Sequence, residues 1–203
     1  MSRRANKMRT QQKLLRGAIR LIHRAGLLSL TTGKIAAESG MAQPTFYVHF
    51  ADMNALLQRA AAELSDAIFG RLQPIREQVM DGPSRDSVRA ACATAVKALV
   101  DDPRYAEIYL RYRRDPHTPI GQRFIEFTDE VRGALYHDLA ALGLEREIPH
   151  LAVHVEMIFG MTLGLIEAIV DRRVDDLEVA VDLLADSIIA QLDSHLARAR
   201  DVA

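Results

Sequence analysis

Between Thr31 and Phe50 the chain carries side chains whose types and spacing suit contact with nucleic acid. Phe46 and Phe50 lie four residues apart, so on a helix they share one face and are expected to pack inward. Hydroxyl groups can donate to phosphate, and a glutamine amide can pair with the edge of adenine. The side chains expected to point outward are those of Gln43, Thr45, Tyr47, Val48 and His49.

Two short helices, over 32–39 and 44–49, are predicted to position these side chains. Thr31 can cap the first helix by accepting a backbone N–H bond. Ala36 is small enough to allow a second helix to cross closely, and Gly40 suits a sharp turn with positive φ. This pattern predicts a helix-turn-helix, with a plain helical hairpin as the alternative.

The charge of the chain changes sign near residue 50. Residues 1–50 hold nine Lys or Arg and one acid, a net charge of +8, whereas residues 51–203 carry −9. A basic front on an acidic body favours binding of a polyanion. We therefore predict a DNA-binding domain over 1–50 and a second domain over 51–203. The arm Ser2–Arg9 has no apolar face and is expected to be disordered in free solution.

Residues 10–60 resemble the TetR family of bacterial transcriptional regulators. The resemblance implies an all-helical homodimer with an N-terminal DNA-binding domain and a C-terminal domain for ligand binding and dimerisation. Most members of the family are repressors that a small molecule releases from an operator. The matching positions are Leu30, Thr31, Thr32, Ile35, Ala36, Gly40, Met41, Thr45, Phe46, Tyr47, His49, Phe50, Leu56 and Leu57.

The resemblance also implies roles for individual residues. By position it assigns phosphate contact to Thr32 and Lys34, base edges to Gln43, Pro44 and Thr45, and the DNA backbone to Tyr47 and His49. A lysine that many members carry after the recognition helix is absent here, where the sequence is Ala51-Asp52-Met53-Asn54. Arginines of the arm, Arg3 and Arg4 among them, would supply this charge by entering the minor groove.

The rest of the chain shows apolar spacings of three and four, which predict an all-α protein of about nine helices. The helices predicted over Pro149–Val170 and Leu177–Arg200 have apolar faces broad enough for more than one contact. Two such helices from each of two subunits would form a four-helix dimer interface, and an intrachain bundle is the alternative. The residues assigned to this interface are Gly160, Gly164, Leu184 and Ile188.

Three tyrosines share one helical face before a run of arginines. This pattern is typical of an effector pocket that is apolar within and cationic at its mouth, and the alternative is a solvated helix end. The segment resembles the branch of the family that senses fatty acyl-CoA, which implies an apolar effector with an anionic end. The residues assigned to effector binding are Tyr105, Tyr109, Tyr112, Arg113 and Arg114.

His150 and His154 have the spacing of metal ligands, with Glu147 nearby, but there is no HExxH pattern. We therefore predict no metal site, no cofactor and no enzymatic activity. The start of the chain lacks an apolar targeting segment, and the longest uncharged apolar stretch, Met157–Ile166, is too short to cross a bilayer. The expected protein is cytoplasmic, makes no membrane contact and binds an inverted-repeat operator as a homodimer. The alternatives are an architectural DNA-binding protein without an effector and a metal-dependent helical-bundle enzyme using His150 and His154.

Overall fold

The computed structural model describes residues 3–81 and 84–201, except the side chains of residues 3, 67, 147 and 194–201. Over these ranges the chain forms ten α-helices, a 3₁₀ helix and no strand, which confirms the all-α prediction. The helices are α1 Arg3–Ala25, the 3₁₀ helix Leu27–Ser29, α2 Thr32–Glu38, α3 Gln43–His49, α4 Met53–Asp81, α5 Arg85–Val100, α6 Pro103–Tyr112, α7 Pro119–Ala141, α8 Leu144–Glu147, α9 Leu151–Val170 and α10 Leu177–Asp201.

The chain divides into two compact units whose limits differ from the predicted boundary at residue 50. Unit 1 contains the chain up to Ser65 together with a later segment, Glu107–Ile125. Unit 2 contains Asp66–Ala106 and the chain from Glu126 onward. Because α4, α6 and α7 each begin in one unit and end in the other, no single linker separates the units.

Helix α1 forms the base of unit 1. Its apolar stripe is buried against α2 and α3, and the large side chains that this packing removes from water include Leu14, Ile22, Ile35 and Phe46. The prediction of a disordered arm is wrong for residues 3–9, which form the first turns of α1. Arg, Lys, Ala and Met favour helix, and residues that extend an existing helix avoid the cost of nucleation. Ser2 lies outside the described residues.

Helix α4 continues through Pro74, a residue type that usually interrupts a helix. Proline removes one backbone hydrogen bond and crowds the carbonyl four residues earlier, which here belongs to the exposed Gly70. Tertiary contacts hold the helix beyond that point. Arg76 donates from Nε and Nη2 to the two carboxylate oxygens of Asp138 on α7, at 2.6 and 2.9 Å.

In unit 2, α5 packs against α9 and α10. Helix α5 begins after a reciprocal cap, in which the side chains of Ser84 and Ser87 each accept a bond from the backbone N–H of the other. Cys92 on this helix is buried, and burial raises the pKa of its thiol to about 11. The thiol is therefore protonated at neutral pH and packs as a small apolar group.

Ion pairs connect the outer sides of α5 and α10. Arg85 donates from Nε to Asp186 at 2.8 Å, and Arg89 binds both Asp182 and, at 2.6 Å, Glu178. These bonds fix the register of the two helices and leave other faces of α9 and α10 open.

Candidate nucleic-acid interface

Helix α2 is capped and docked by side chains close to it in the sequence. Thr31 accepts a hydrogen bond from the backbone N–H of Lys34 at 3.2 Å, as the sequence predicted. Arg20 of α1 donates to Glu38 at 2.8 Å, and this bond, with a second from Arg24, holds the pKa of the Glu38 carboxyl below its usual range. The negative carboxylate therefore joins the end of α2 to α1.

The turn between α2 and α3 takes the conformation expected of a helix-turn-helix. Gly40 has φ +71°, a left-handed conformation that suits glycine. The next N–H, that of Met41, donates to the carbonyl of Ala36 at 2.8 Å. Pro44 then stands in the first turn of α3, where its missing N–H leaves no bond unmade.

Helix α3 buries one face and exposes the other. Phe46 and Phe50 are buried with ring centroids 5.7 Å apart, which confirms their predicted inward packing. Gln43, Pro44, Tyr47 and Val48 are exposed, whereas Thr45 and His49 are half-buried. The exposed face therefore combines an amide, a phenol and a small apolar group, which are suited to contact with base edges and phosphate.

Three of the predicted DNA contacts are hydrogen-bonded to one another. Gln43 Nε2 donates to Thr32 Oγ1 at 2.9 Å, and Thr32 Oγ1 lies 3.3 Å from the hydroxyl of Tyr47. The amide of Gln43 lies over Gly33, where an added Cβ would be 3.7 Å from Gln43 Cδ. The sequence did not predict this cluster, because its members come from two helices whose crossing sets their distances.

The predicted basic contacts are placed unequally. The Lys34 ammonium donates to the carbonyl of Ser29 at 2.9 Å, so it is held beside the start of α2. Arg4 is exposed on the first turn of α1, and the side chain of Arg3 lies outside the described residues. Lys34 at the start of α2 and Arg4 at the start of α1 are therefore the described side chains among the predicted basic contacts.

His49 is an ionisable side chain of α3 that lies partly buried. Its Nδ1 is buried and has no hydrogen-bond partner among the described residues. This burial, with a smaller effect of the positive charge of Lys7, lowers the pKa of His49. The imidazole is therefore neutral at pH 7 in the absence of DNA.

The predicted effector residues lie on or just after α6, and most belong to unit 1. Tyr109 is buried with its ring edge-on to Phe124, at a centroid distance of 5.3 Å. The hydroxyl of Tyr112 accepts a hydrogen bond from the backbone N–H of Leu27 at 3.1 Å. These two tyrosines therefore make packing contacts in unit 1. Of the remaining residues, Tyr105 and Arg113 are half-buried and Arg114 is exposed.

A second contact joins α6 to α1 within unit 1. Glu107 lies 2.9 Å from Nε2 of His23, which is two residues before the end of α1 at Ala25. This contact and the hydrogen bond from Leu27 to Tyr112 connect α6 to the end of α1 and to the segment 26–31 that leads into α2. No pattern in the sequence indicates this connection, since its partners are more than 80 residues apart.

The residues predicted at a dimer interface fall into two groups. Gly160 and Gly164 are exposed, and a Cβ added to either would meet no atom within 4 Å. Leu184 and Ile188 are instead buried inside the subunit, because the face of α10 that carries them packs on α5 and α9. On the same helix Val179 and Leu183 are more than half exposed. For an interface on α10, the structure therefore favours Val179 and Leu183 over Leu184 and Ile188.

His150 and His154, the pair with the spacing of metal ligands, have no third ligand beside them among the described residues. His150 is exposed, whereas His154 is buried with its Nδ1 2.7 Å from Nε2 of Gln191. Within the described part of the chain no group of three His, Cys, Asp or Glu side chains is arranged to hold a metal ion. The Glu147 side chain lies outside the described residues.

Comparison with known sequences identifies the N-terminal region. Residues 14–60 match the family model described as "Bacterial regulatory proteins, tetR family". A curated relative, the "Uncharacterized HTH-type transcriptional regulator YerO" of Bacillus subtilis (strain 168), is 23% identical over 185 residues, which are 82% of this chain. The match spans 64% of the length of that relative.

Solved structures with the same fold cover nearly the whole chain. A TetR-family regulator from Syntrophomonas wolfei superposes with a TM-score of 0.72 over 91% of this chain and 95% of its own, at 16% identity. The regulator FadR of Bacillus subtilis, solved in complex with stearoyl-CoA, has a TM-score of 0.70 over 88% and 97% of the two chains, at 16% identity. At such identities the similarity extends to the fold alone.

Proposed function

We propose that this chain, a member of the TetR family of bacterial transcriptional regulators, is a cytoplasmic repressor that binds an inverted-repeat operator as a homodimer and responds to a small amphipathic molecule. The observation that carries the proposal is the outward face of α3. There Gln43 and Tyr47 stand exposed on a helix whose opposite face is locked by Phe46 and Phe50. Such a helix can enter a major groove without disturbing the core of unit 1.

The net charge of +8 on residues 1–50 supports binding to duplex DNA. A protein that neutralises roughly six to ten phosphates loses about 10³–10⁵ in affinity between 50 and 200 mM salt. The test is selection of genomic fragments by the purified full chain, followed by affinity measurements over a salt series. Arg4→Ala should weaken binding to all sequences alike, whereas Arg173→Ala, an exposed arginine of unit 2, should leave it unchanged. Absence of any preferred fragment would contradict operator binding.

The surface of α9 and α10 supports assembly with a second copy of the chain. Val153 and Met157 on α9 and Val179 and Leu183 on α10 are all at least half exposed. Helix α9 is also long and apolar enough, by length and composition alone, to cross a membrane. Its exposed side includes Glu156 and Glu167, which would be costly in lipid, so we place a partner subunit there. Sedimentation of the wild-type chain as a monomer would exclude this assembly.

An acyl-CoA is the effector class that we propose. The support is the half-buried Arg113 and exposed Arg114 at the end of α6, and the stearoyl-CoA bound by the structurally similar FadR. An effector that shifts α6 would pull on Leu27 through Tyr112 and so displace the start of α2. An effector changes DNA affinity only through different affinities for two such states.

This effector proposal is tested by thermal shift and operator binding with acyl-CoAs of several chain lengths, and with free CoA as the control. An acyl-CoA should raise the melting temperature and change operator affinity roughly 5–150-fold, the usual scale of coupling between two sites. Arg114→Ala should reduce this response and leave DNA binding without ligand intact. No response to any chain length would exclude the acyl-CoA class, and equal loss of both activities would give Arg114 a structural role.

A further inference from the structure

The hydroxyl of Thr32 joins the two side chains of α3 that are expected to make different kinds of DNA contact. It accepts from Gln43 Nε2 at 2.9 Å and lies 3.3 Å from the hydroxyl of Tyr47. Gln43 faces base edges in the proposed complex, and Tyr47 faces phosphate. A threonine hydroxyl has one proton to donate and two lone pairs, so it can serve both partners at once.

A phosphate beside Tyr47 would select the direction of this chain of bonds. Phosphate oxygens only accept hydrogen bonds, so Tyr47 must donate its single proton to the phosphate. The bond between Tyr47 and Thr32 then has to be donated by Thr32. Because Thr32 has given its proton to Tyr47, its remaining contact, with Gln43, must be one in which Gln43 donates.

The direction of the bonds determines which edge Gln43 presents. When one N–H of its amide is given to Thr32, the other N–H and Oε1 remain for the base. A donor beside an acceptor matches N7 and the N6 amino group of adenine. In the reverse direction Thr32 would donate to Oε1, and Gln43 would present its NH₂ group, which suits the two acceptors of guanine.

We propose that Thr32 is a specificity-determining positioning residue, whose hydroxyl couples the phosphate contact of Tyr47 to the orientation of the Gln43 amide and thereby favours adenine at the base pair that Gln43 faces. The inference rests on the proposed function, since it requires duplex DNA in contact with α3.

The test compares Thr32→Val, which removes the hydroxyl and keeps the shape, with Thr32→Ser, which keeps the hydroxyl. Wild type and variants select duplexes from a randomised pool, and affinities are then measured for the preferred duplex and for its single base-pair substitutions. Preference for adenine at the Gln43 position should be roughly 10–100-fold in the wild type. It should fall by about 3–10-fold in Thr32→Val and be retained in Thr32→Ser.

The same measurements in a Gln43→Ala background complete the cycle. There Thr32→Val should change no base preference, because the amide that it orients is gone. A uniform loss of affinity in Thr32→Val with base preference intact would overturn the proposal and leave Thr32 a phosphate contact alone. Loss of preference in Thr32→Ser as large as in Thr32→Val would overturn it too. Failure of the wild type to select any duplex is a different result, which would reject the proposed function itself.

Discussion

The two units differ in what they leave on their surfaces. In unit 1 the exposed side of α3 carries polar and aromatic groups, and Gln43 of α3 and Thr32 of α2 already satisfy part of each other's hydrogen bonding. In unit 2 the exposed sides of α9 and α10 carry large apolar side chains such as Met157 and Leu183, while the ion pairs of Arg85 and Arg89 lie between α5 and α10. The first surface suits a hydrated, charged partner such as DNA. The second would be stabilised by a protein partner that buries its apolar side chains.

The largest effect is expected from Gly121→Ala in unit 1. A Cβ at this position on α7 would overlap the backbone carbonyl of Asp115 and lie 2.9 Å from that of Tyr112. Because backbone atoms cannot move aside cheaply, the free energy of unfolding should fall by at least about 3 kcal/mol.

Gly133→Ala is the matched control for that substitution. Gly133 lies on the same helix in unit 2, with no atom within 4 Å of an added Cβ. Replacing a helical glycine by alanine in open space should stabilise the chain by about 0.5–1 kcal/mol. Urea denaturation of both variants measures the difference. Similar unfolding free energies would show that the backbone of the turn after α6 can move aside for the added Cβ.

The apolar surface of unit 2 is tested by Leu183→Lys. Leu183 is 62% exposed, so the substitution should leave the subunit folded. A two-fold interface contains the position twice, and two buried ammonium groups should raise the dimer dissociation constant about 100-fold, or about 2.8 kcal/mol.

Val48→Lys provides the comparison from unit 1. Val48 is similarly exposed, at 68%, but lies on the DNA-facing side of α3. Without DNA, sedimentation of this variant should match the wild type. If Leu183→Lys and Val48→Lys change the dimer dissociation constant equally, or if neither changes it, the two surfaces do not differ in the way proposed.

Two ion pairs of unit 2 show how much exposure matters. Arg76–Asp138 and Arg85–Asp186 both make two hydrogen bonds between guanidinium and carboxylate. The Arg76 and Asp138 side chains are 31% and 22% exposed, whereas those of the other pair are more than half exposed. Asp138→Asn should therefore cost about 2 kcal/mol of unfolding free energy, whereas Asp186→Asn should cost much less, because water screens the exposed pair. Equal costs in thermal or urea unfolding would show that geometry outweighs burial here.

The features that the sequence predicted are local in the chain. The cap by Thr31, the turn at Gly40 and the inward Phe46 each depend on neighbours a few residues away, so spacing alone reveals them. The bond from Leu27 to Tyr112 spans 85 residues, and no periodicity marks such a partner. The same limit explains Leu184, which has the apolar spacing of an interface residue but turns out to face its own subunit.

The errors in the helix limits have a different cause. Residues 3–9 lack the apolar stripe by which an amphipathic helix is predicted from sequence. Once α1 is nucleated by its packed part, good helix formers extend it without further tertiary contact. At Pro74 the helix continues although proline removes a backbone hydrogen bond, because tertiary contacts such as that of Arg76 with Asp138 stabilise the helix beyond it.

The smallest effect is expected from the pH response of His49, in which stability and DNA affinity should change in opposite directions. Burial and Lys7 lower the pKa of His49 in the folded chain, so below the ordinary histidine pKa of about 6.5 the unfolded chain binds more protons. The contribution of His49 to stability is therefore intact above that pH and is lost as pH falls through it toward the folded pKa.

A phosphate near His49 favours its protonated form, so DNA binding takes up a proton and affinity should rise a few-fold between about pH 7.5 and about pH 5.5. His49→Gln should flatten both responses, whereas His117→Gln, an exposed residue of the loop before α7, should retain them. Thermal melts and operator titrations across this range provide the two measurements. If both the stability and the DNA affinity fall as the pH is lowered, His49 does not face phosphate. The contacts of α3 with the DNA backbone would then be made by Tyr47 alone.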